Sequence, residues 1–197
     1  TAYGNLGMLY RETGNLEKSR ELLEKDLKTR LATAEKDAAD RESQADLSDA
    51  LRELAQTKAA QKEFSSAFTD FERTRAILDK LIAADKNNME FRRSLFQAEN
   101  FYGDALLAEG NRPKAAEIYR TAFQKLSKDA PETPYLTFAE GILNENLGNI
   151  ARAEKDSETA RQSFEKTLAL WQKPNAAPQN FNYCVETIDY LKQKIAN

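Results

Sequence analysis

No histidine occurs in the 197 residues, and a single cysteine, Cys184, is the only thiol. The first absence removes the commonest general base and the commonest transition-metal ligand. The second excludes an intramolecular disulfide and a CxxC site. Glycine (7) and proline (5) are scarce, and no Gly-rich phosphate-binding loop occurs. No apolar run approaches the roughly twenty residues of a transmembrane helix, and no signal-peptide pattern stands at Thr1. The formal charge is −3 with both signs interspersed, so there is no basic stripe of the kind that binds nucleic acid. These absences point away from an enzyme, from a metal or other cofactor, from nucleic acid and from membrane insertion. The lone cysteine leaves the compartment open between cytoplasm and periplasm, with the cytoplasm preferred. What is present is 41% apolar and 31% charged residues, a helix-rich composition.

The stretch "LAEGNRPKAAEIYRTAF" (107–123) spaces Gly110, Ala115, Tyr119 and Ala122 five, four and three apart. The same spacing recurs as Gly14, Ser19, Leu23, Asp26, as Lys62, Ala67, Phe71, Thr74, and as Lys155, Ala160, Phe164, Thr167. Upstream lie the pairs Leu6-Gly7, Leu54-Ala55, Tyr102-Gly103 and Leu147-Gly148. Each small member precedes the next small residue by twelve positions: Gly7–Ser19, Ala55–Ala67, Gly103–Ala115 and Gly148–Ala160. The four units start 48, 48 and 45 residues apart, as the positions 7, 55, 103 and 148 give. Two antiparallel helices explain the pattern. Small residues let the backbones approach, and the large residue one turn further on fills the space beside them. Gly14 and Gly110 stand where the first helix must end and the chain turn. Pro113 sits in the first turn of a second helix, where no backbone donor is lost. Lys62 and Lys155 replace the glycine in two units, so those turns lack a residue that takes positive φ without strain.

The series in "NLGMLYRETGNLEKSRELLEKDL" and in "FYGDALLAEGNRPKAAEIYRTAF" resembles the tetratricopeptide repeat (TPR); the units at 51–74 and 144–167 match less closely, lacking the turn glycine. The family's usual unit is about 34 residues, so both helices of each unit here are expected to be about two turns longer. The longer unit, and "RAILDKLIAADKNNMEFRRSL" in particular, is similar to repeats attached to large bacterial signalling proteins, including serine/threonine kinases. The resemblance implies an all-α, right-handed solenoid of four hairpins, about 1–38, 41–84, 88–128 and 133–172. Helices are expected at 1–13, 15–36, 41–60, 63–84, 88–109, 112–128, 133–154 and 157–171. A turn at 173–180 ("KPNAAPQN") then leads to a capping helix, 181–197. That last helix carries Phe181, Cys184, Val185, Ile188, Leu191 and Ile195 on one face.

The first unit has only "TAYGN" before Leu6-Gly7, whereas the others have about two turns there. Tyr3, Leu6 and Tyr10 are therefore expected on an uncovered apolar end. The natural protein is expected to continue upstream, with further repeats or another domain over that end, or a second copy is expected to cover it.

Candidate chemistry is sparse. Glu21-Glu24 and Glu63-Asp70-Glu72 have the spacing of solvated helix faces. "DKNNME" (85–90) lacks the glycine and the frame of a calcium loop and is read as an inter-helix turn. Cys184 falls on an apolar stripe and is read as core, and Trp171 as packing under the cap. In the resembled family the first helices line a concave groove. Position by position, the resemblance assigns to it Asn5, Met8, Arg11 and Glu12, then Arg52, Gln56 and Ala59. It assigns next Asn100, Asp104 and Leu107, and finally Glu145, Asn146, Asn149 and Arg152. Asn5, Asn100 and Asn146 each offer a donor and an acceptor suited to an extended peptide backbone. The Lys/Asn arrangement with which some family members clamp a terminal carboxylate is absent, and the mixed sign of the groove argues against a strongly acidic tail. The expected function is a protein-interaction scaffold, or a sensor or regulatory module, that binds a peptide or protein partner. The alternative is an assembly subunit that uses its ends and convex surface.

Overall fold

The computed structural model describes residues 1–173 and 181–196, and from Phe181 to Glu186, and at Ala196, the backbone alone. Residues 174–180 of the turn expected at 173–180, and the side chains of Phe181, Cys184 and Val185 expected in the core, lie outside the described residues. Every described element of length is an α-helix: α1 (Ala2–Glu12), α2 (Leu16–Ala34), α3 (Arg41–Ala60), α4 (Phe64–Ala84), α5 (Met89–Glu109), α6 (Arg112–Ser127), α7 (Pro134–Ala153), α8 (Ser157–Trp171) and α9 (Phe181–Ala196). The bounds are set by capping residues. Side-chain oxygens of Thr1, Asn15, Asp40, Asn88, Thr133 and Asp156 accept from backbone N–H groups in the first turns of α1, α2, α3, α5, α7 and α8. Such caps satisfy donors that a helix start leaves orphaned.

The four hairpin turns share one construction. Within two residues of the end of the first helix the chain bends into the left-handed region: Gly14 at φ 83°, Lys62 at 66°, Gly110 at 103° and Lys155 at 64°. The next residue, Asn15, Glu63, Asn111 or Asp156, donates its N–H back to the carbonyl of Tyr10, Lys58, Leu106 or Ala151 respectively, at 2.8–2.9 Å. This is the closing bond of a Schellman motif. In three of the four turns that same residue caps the following helix through its side chain: Asn15 to Lys18 N, Asn111 to Lys114 N and Asp156 to Thr159 N. Glu63 makes no side-chain cap bond and instead meets Arg20 at 2.6 Å. The lysines thus adopt the glycine conformation after all, because hydrogen bonds on both sides of the turn over-determine it.

The chain divides into two compact units, Thr1–Ile118 and Tyr119–Asn197. In the first, α1 packs on α2, α2 on α3, α3 on α4 and α4 on α5. In addition α1 touches α3 and α3 touches α5, while α2 and α4 have no comparable contact. The first helices therefore form the tighter, inner row of this unit. The predicted small-against-large packing is visible at Gly7, where an added Cβ would stand 2.7 Å from Leu23 Cγ. Polar groups brought into these interfaces are paired: Ser19 Oγ and Thr57 Oγ1 are 3.0 Å apart, and Arg75 grips Glu99 at 2.5 and 2.6 Å. The Glu99 hydrogen bonds push the Arg75 pKa further up, and burial raises that of Tyr102, which lies under the Arg75 guanidinium.

In the second unit α7 packs on α8 and α9 on α8. A cluster of Ala151, Ala160, Phe164, Leu170, Trp171 and Leu191 forms its core, and Trp171, expected under the cap, shares it with Leu191 of α9. Trp171 donates its indole N–H to the Phe138 carbonyl at 3.3 Å and stacks on the Phe138 ring. Gly148 faces Phe164 as Gly7 faces Leu23, with an added Cβ 2.6 Å from Phe164 Cε1.

The outer side of α1 is apolar and open. Tyr3, Leu6 and Leu9 are 49, 42 and 53% exposed, whereas Tyr10 is half-buried.

Candidate functional site

The inner row of the first unit carries seven of the expected groove residues: Asn5, Met8 and Arg11 on α1, Arg52 and Gln56 on α3, Asn100 and Asp104 on α5. Asn5 and Asp104 are exposed and the other five half-buried. The intervals within each repeat place them on one helical face, because residues three and four apart line the same side.

The structure adds a feature at the centre of this face that residue matching alone omits. Glu53, only 8% exposed, receives two arginines. Arg11 crosses from α1 to donate to its carboxylate at 2.7 Å and to its backbone carbonyl at 3.0 Å. Arg52 lies 2.9 Å from its other oxygen and 3.2 Å from Asp49. The Arg52 guanidinium also lies over the ring of Phe101 on α5, 5.8 Å from its centroid. A ladder of charge and aromatic contacts, Arg11–Glu53–Arg52–Phe101, therefore ties α1, α3 and α5 together. Glu53 and Phe101 occupy the repeat position that Asn5 holds in the first unit, 48 and 96 residues on, so the signal lay in the sequence at 5, 53 and 101.

The amides are partly engaged. Asn100 donates one N–H to the Phe96 carbonyl one turn earlier, at 2.7 Å, and Gln56 reaches the Arg52 carbonyl at 3.4 Å. That leaves each with less than the full donor and acceptor set that the sequence suggests.

Of the other expected residues, Glu12 on α1 is exposed and Ala59 on α3 and Leu107 on α5 are half-buried, and the rest lie on α7 in the second unit. Asn146 and Asn149 are half-buried and Arg152 exposed. Arg152 donates to Asn149 Oδ1 at 3.3 Å and lies over the Phe164 ring. Among the described residues no helix is long and apolar enough to cross a membrane, and no cluster of acidic, cysteine or histidine groups is arranged to hold a metal ion.

Residues 1–37 match the tetratricopeptide repeat family. No curated protein sequence matches the chain. Among solved structures, the chain is similar to a crystal structure of nearly identical TPR-like repeats ascribed to a kinesin light chain of Podosopora anserina. The TM-score is 0.62 at 18% identity, covering 99% of this chain and 92% of that one. A single-substitution variant of the same protein gives a TM-score of 0.55 at 16% identity, covering 98 and 94%. At such identity the likeness establishes fold alone: the chain is all-α and TPR-like.

Proposed function

Proceeding from a TPR-like repeat fold, we propose that this chain is a protein-interaction module whose partner, a peptide or protein segment, lies along the inner face of the first helices. One observation supports this above the others. The ladder from Arg11 to Phe101 fixes the three helices that present Asn5, Met8, Gln56 and Asp104. A face held this way costs less to order on binding, the general advantage of preorganisation. The mixed signs of Arg11, Arg52, Glu53 and Asp104 suit a partner of mixed polarity. A regulatory or sensor role within a signalling protein is the finer form of the same proposal, and it rests on the resemblance of the 48-residue unit alone.

The test is a photo-crosslinking residue at Asn5 or Asp104, compared with one at Glu24 on the outer side. The captured partner is then re-measured against Asn5→Ala and Gln56→Ala. Crosslinking confined to the inner positions, with affinity lost in the alanine variants, is the expected result. Equal capture from Glu24, or unchanged affinity, overturns the proposal.

The assembly reading also has one observation in its favour. Tyr3, Leu6 and Leu9 occupy the repeat positions of Leu51, Leu54 and Thr57, which are 0, 2 and 0% exposed. A surface that is interior in the next hairpin is open in the first. Light scattering on the wild-type chain and on Leu6→Ser with Leu9→Ser tests it. A monomer at every concentration overturns self-assembly through α1.

A further inference from the structure

In the second unit the end of α7, the first turns of α8 and the end of α9 enclose a concavity of about 490 Å³. Its floor is apolar, made by Ala160, Phe164 and Ile195. Its walls carry three cations, Arg152, Arg161 and Lys194, against one carboxylate, Glu158. That carboxylate is already committed. Both its oxygens accept from Arg161, at 2.9 and 3.0 Å, and one also accepts from Gln162 at 2.6 Å.

Arg152 and Lys194 are placed differently. Neither has a carboxylate partner among the described residues. Arg152 rests over Phe164, 5.8 Å from the ring centroid, and its guanidinium reaches the Tyr190 hydroxyl at 3.5 Å. Lys194 rests over the ring of that same tyrosine, 4.9 Å from its centroid. One aromatic side chain thus gathers two like charges at one edge of a concave surface. Cation–π contact offsets part of their repulsion, but the pair stays uncompensated. Ser157 lines the same space.

We propose that this concavity receives a phosphorylated serine or threonine of a protein partner, with the phosphate between Arg152 and Lys194 and the adjoining residue against Ile195. The charge match selects the ligand. A phosphate monoester carries about −1.5 to −2 at pH 7, which answers two unpaired cations. A single side-chain carboxylate answers one. Guanidinium and hydroxyl donors suit phosphate oxygens, and the volume falls within the roughly 300–1,000 Å³ of ligand pockets. The proposal rests on the reading that the chain binds protein partners. It shares Arg152 with the expected groove but needs nothing from the first unit.

Fluorescence anisotropy on the intact chain tests it with a short labelled peptide, phosphoserine flanked by leucines, beside its unphosphorylated and glutamate twins. The phosphopeptide is expected to bind at least about tenfold more tightly than either twin. Lys194→Ala and Arg152→Ala are each expected to weaken it about fivefold or more, and Lys194→Arg to retain most of the affinity. Asn5→Ala and Gln56→Ala are expected to leave it unchanged, which separates this site from the inner face of the first unit. Circular dichroism checks that the variants stay folded. Equal binding of the three peptides, no binding, or indifference to Lys194→Ala overturns the proposal. Inorganic phosphate that binds as tightly as the phosphopeptide also overturns it, since the peptide would then contribute nothing.

Discussion

Lys62 holds φ 66° at the point of its hairpin turn where Gly14, one repeat earlier, holds φ 83°. A side chain in that region costs about 1–2 kcal/mol. Glycine would remove the strain and return about 0.4–1 kcal/mol of it through greater freedom in the unfolded chain. Lys62→Gly is therefore expected to stabilise the protein by about 0.5–1 kcal/mol, and Lys155→Gly likewise. Gly14→Ala is expected to destabilise it by about 1 kcal/mol. Urea denaturation midpoints check the sign, and a lower midpoint for Lys62→Gly would refute the account.

Gly148 tests the packing. Helix propensity alone favours alanine there by about 1 kcal/mol. An alanine Cβ would stand 2.6 Å from Phe164 Cε1, and that ring is wholly buried, so the packing around it would have to shift. Overpacking costs roughly 1–3 kcal/mol. Gly148→Ala is thus expected to destabilise the protein, and much less so in a Phe164→Leu background. Thermal unfolding of the four proteins in that cycle measures it, and additive effects would contradict direct contact.

The Arg11–Glu53 pair links α1 to α3 with both partners largely shielded from water. Glu53→Ala also leaves Arg52 with Asp49 as its one acidic partner among the described residues. Its expected cost, roughly 1.5–3 kcal/mol, is that of losing hydrogen bonds to a charged group. A double-mutant cycle with Arg11→Ala is expected to show a coupling of about 0.5–3 kcal/mol. Zero coupling would mean that the ladder does not brace the inner face in solution.

The Glu21 carboxylate on α2 accepts from Lys18 at 2.7 Å and from Lys25 at 2.6 Å. These hydrogen bonds, that of Lys18 foremost, pull its pKa from the usual 4.5 to about 2. A depressed pKa in the folded state contributes stability above the unfolded value. That contribution is lost as pH falls from about 4.5 towards about 2. Because the group lies at the open surface, the effect belongs in a titration rather than in a midpoint. Carboxyl NMR shifts should show Glu21 titrating well below its neighbours, and Lys18→Met should move it upward. A wild-type Glu21 that titrates near 4.5 would refute the pairing.

Much of the fold was legible because the chain states it repeatedly. Gly7 against Leu23 and Gly148 against Phe164 could be read from one twelve-residue interval, since backbone approach admits few residue types. Side-chain chemistry is not repeated in that way. Asn5, Glu53 and Phe101 share one position and carry three different groups, so their ladder emerges only when the helices are set side by side. The lysine turns carry the strain that the missing glycine implies. Propensity argues against positive φ at Lys62, and bonds from Lys62 and Glu63 to the end of α3 prevail over it. At Arg152 the resemblance indicated a groove position, but it gave no sign of Tyr190, which comes from α9.

In the hairpin turns at Asn15, Asn111 and Asp156, one residue both closes the helix before it and caps the helix after it. Such a turn has no spare residue: an insertion would take away one of the two roles. The joins between hairpins have no such lock. The shortening from 48 to 45 residues falls between Ala115 and Gly148, while the interval inside every hairpin stays at twelve. Foreign sequence such as an epitope, a protease site or a fluorescent domain therefore belongs at Asp37 to Ala39, and the same cargo placed after Gly14 would unzip a hairpin.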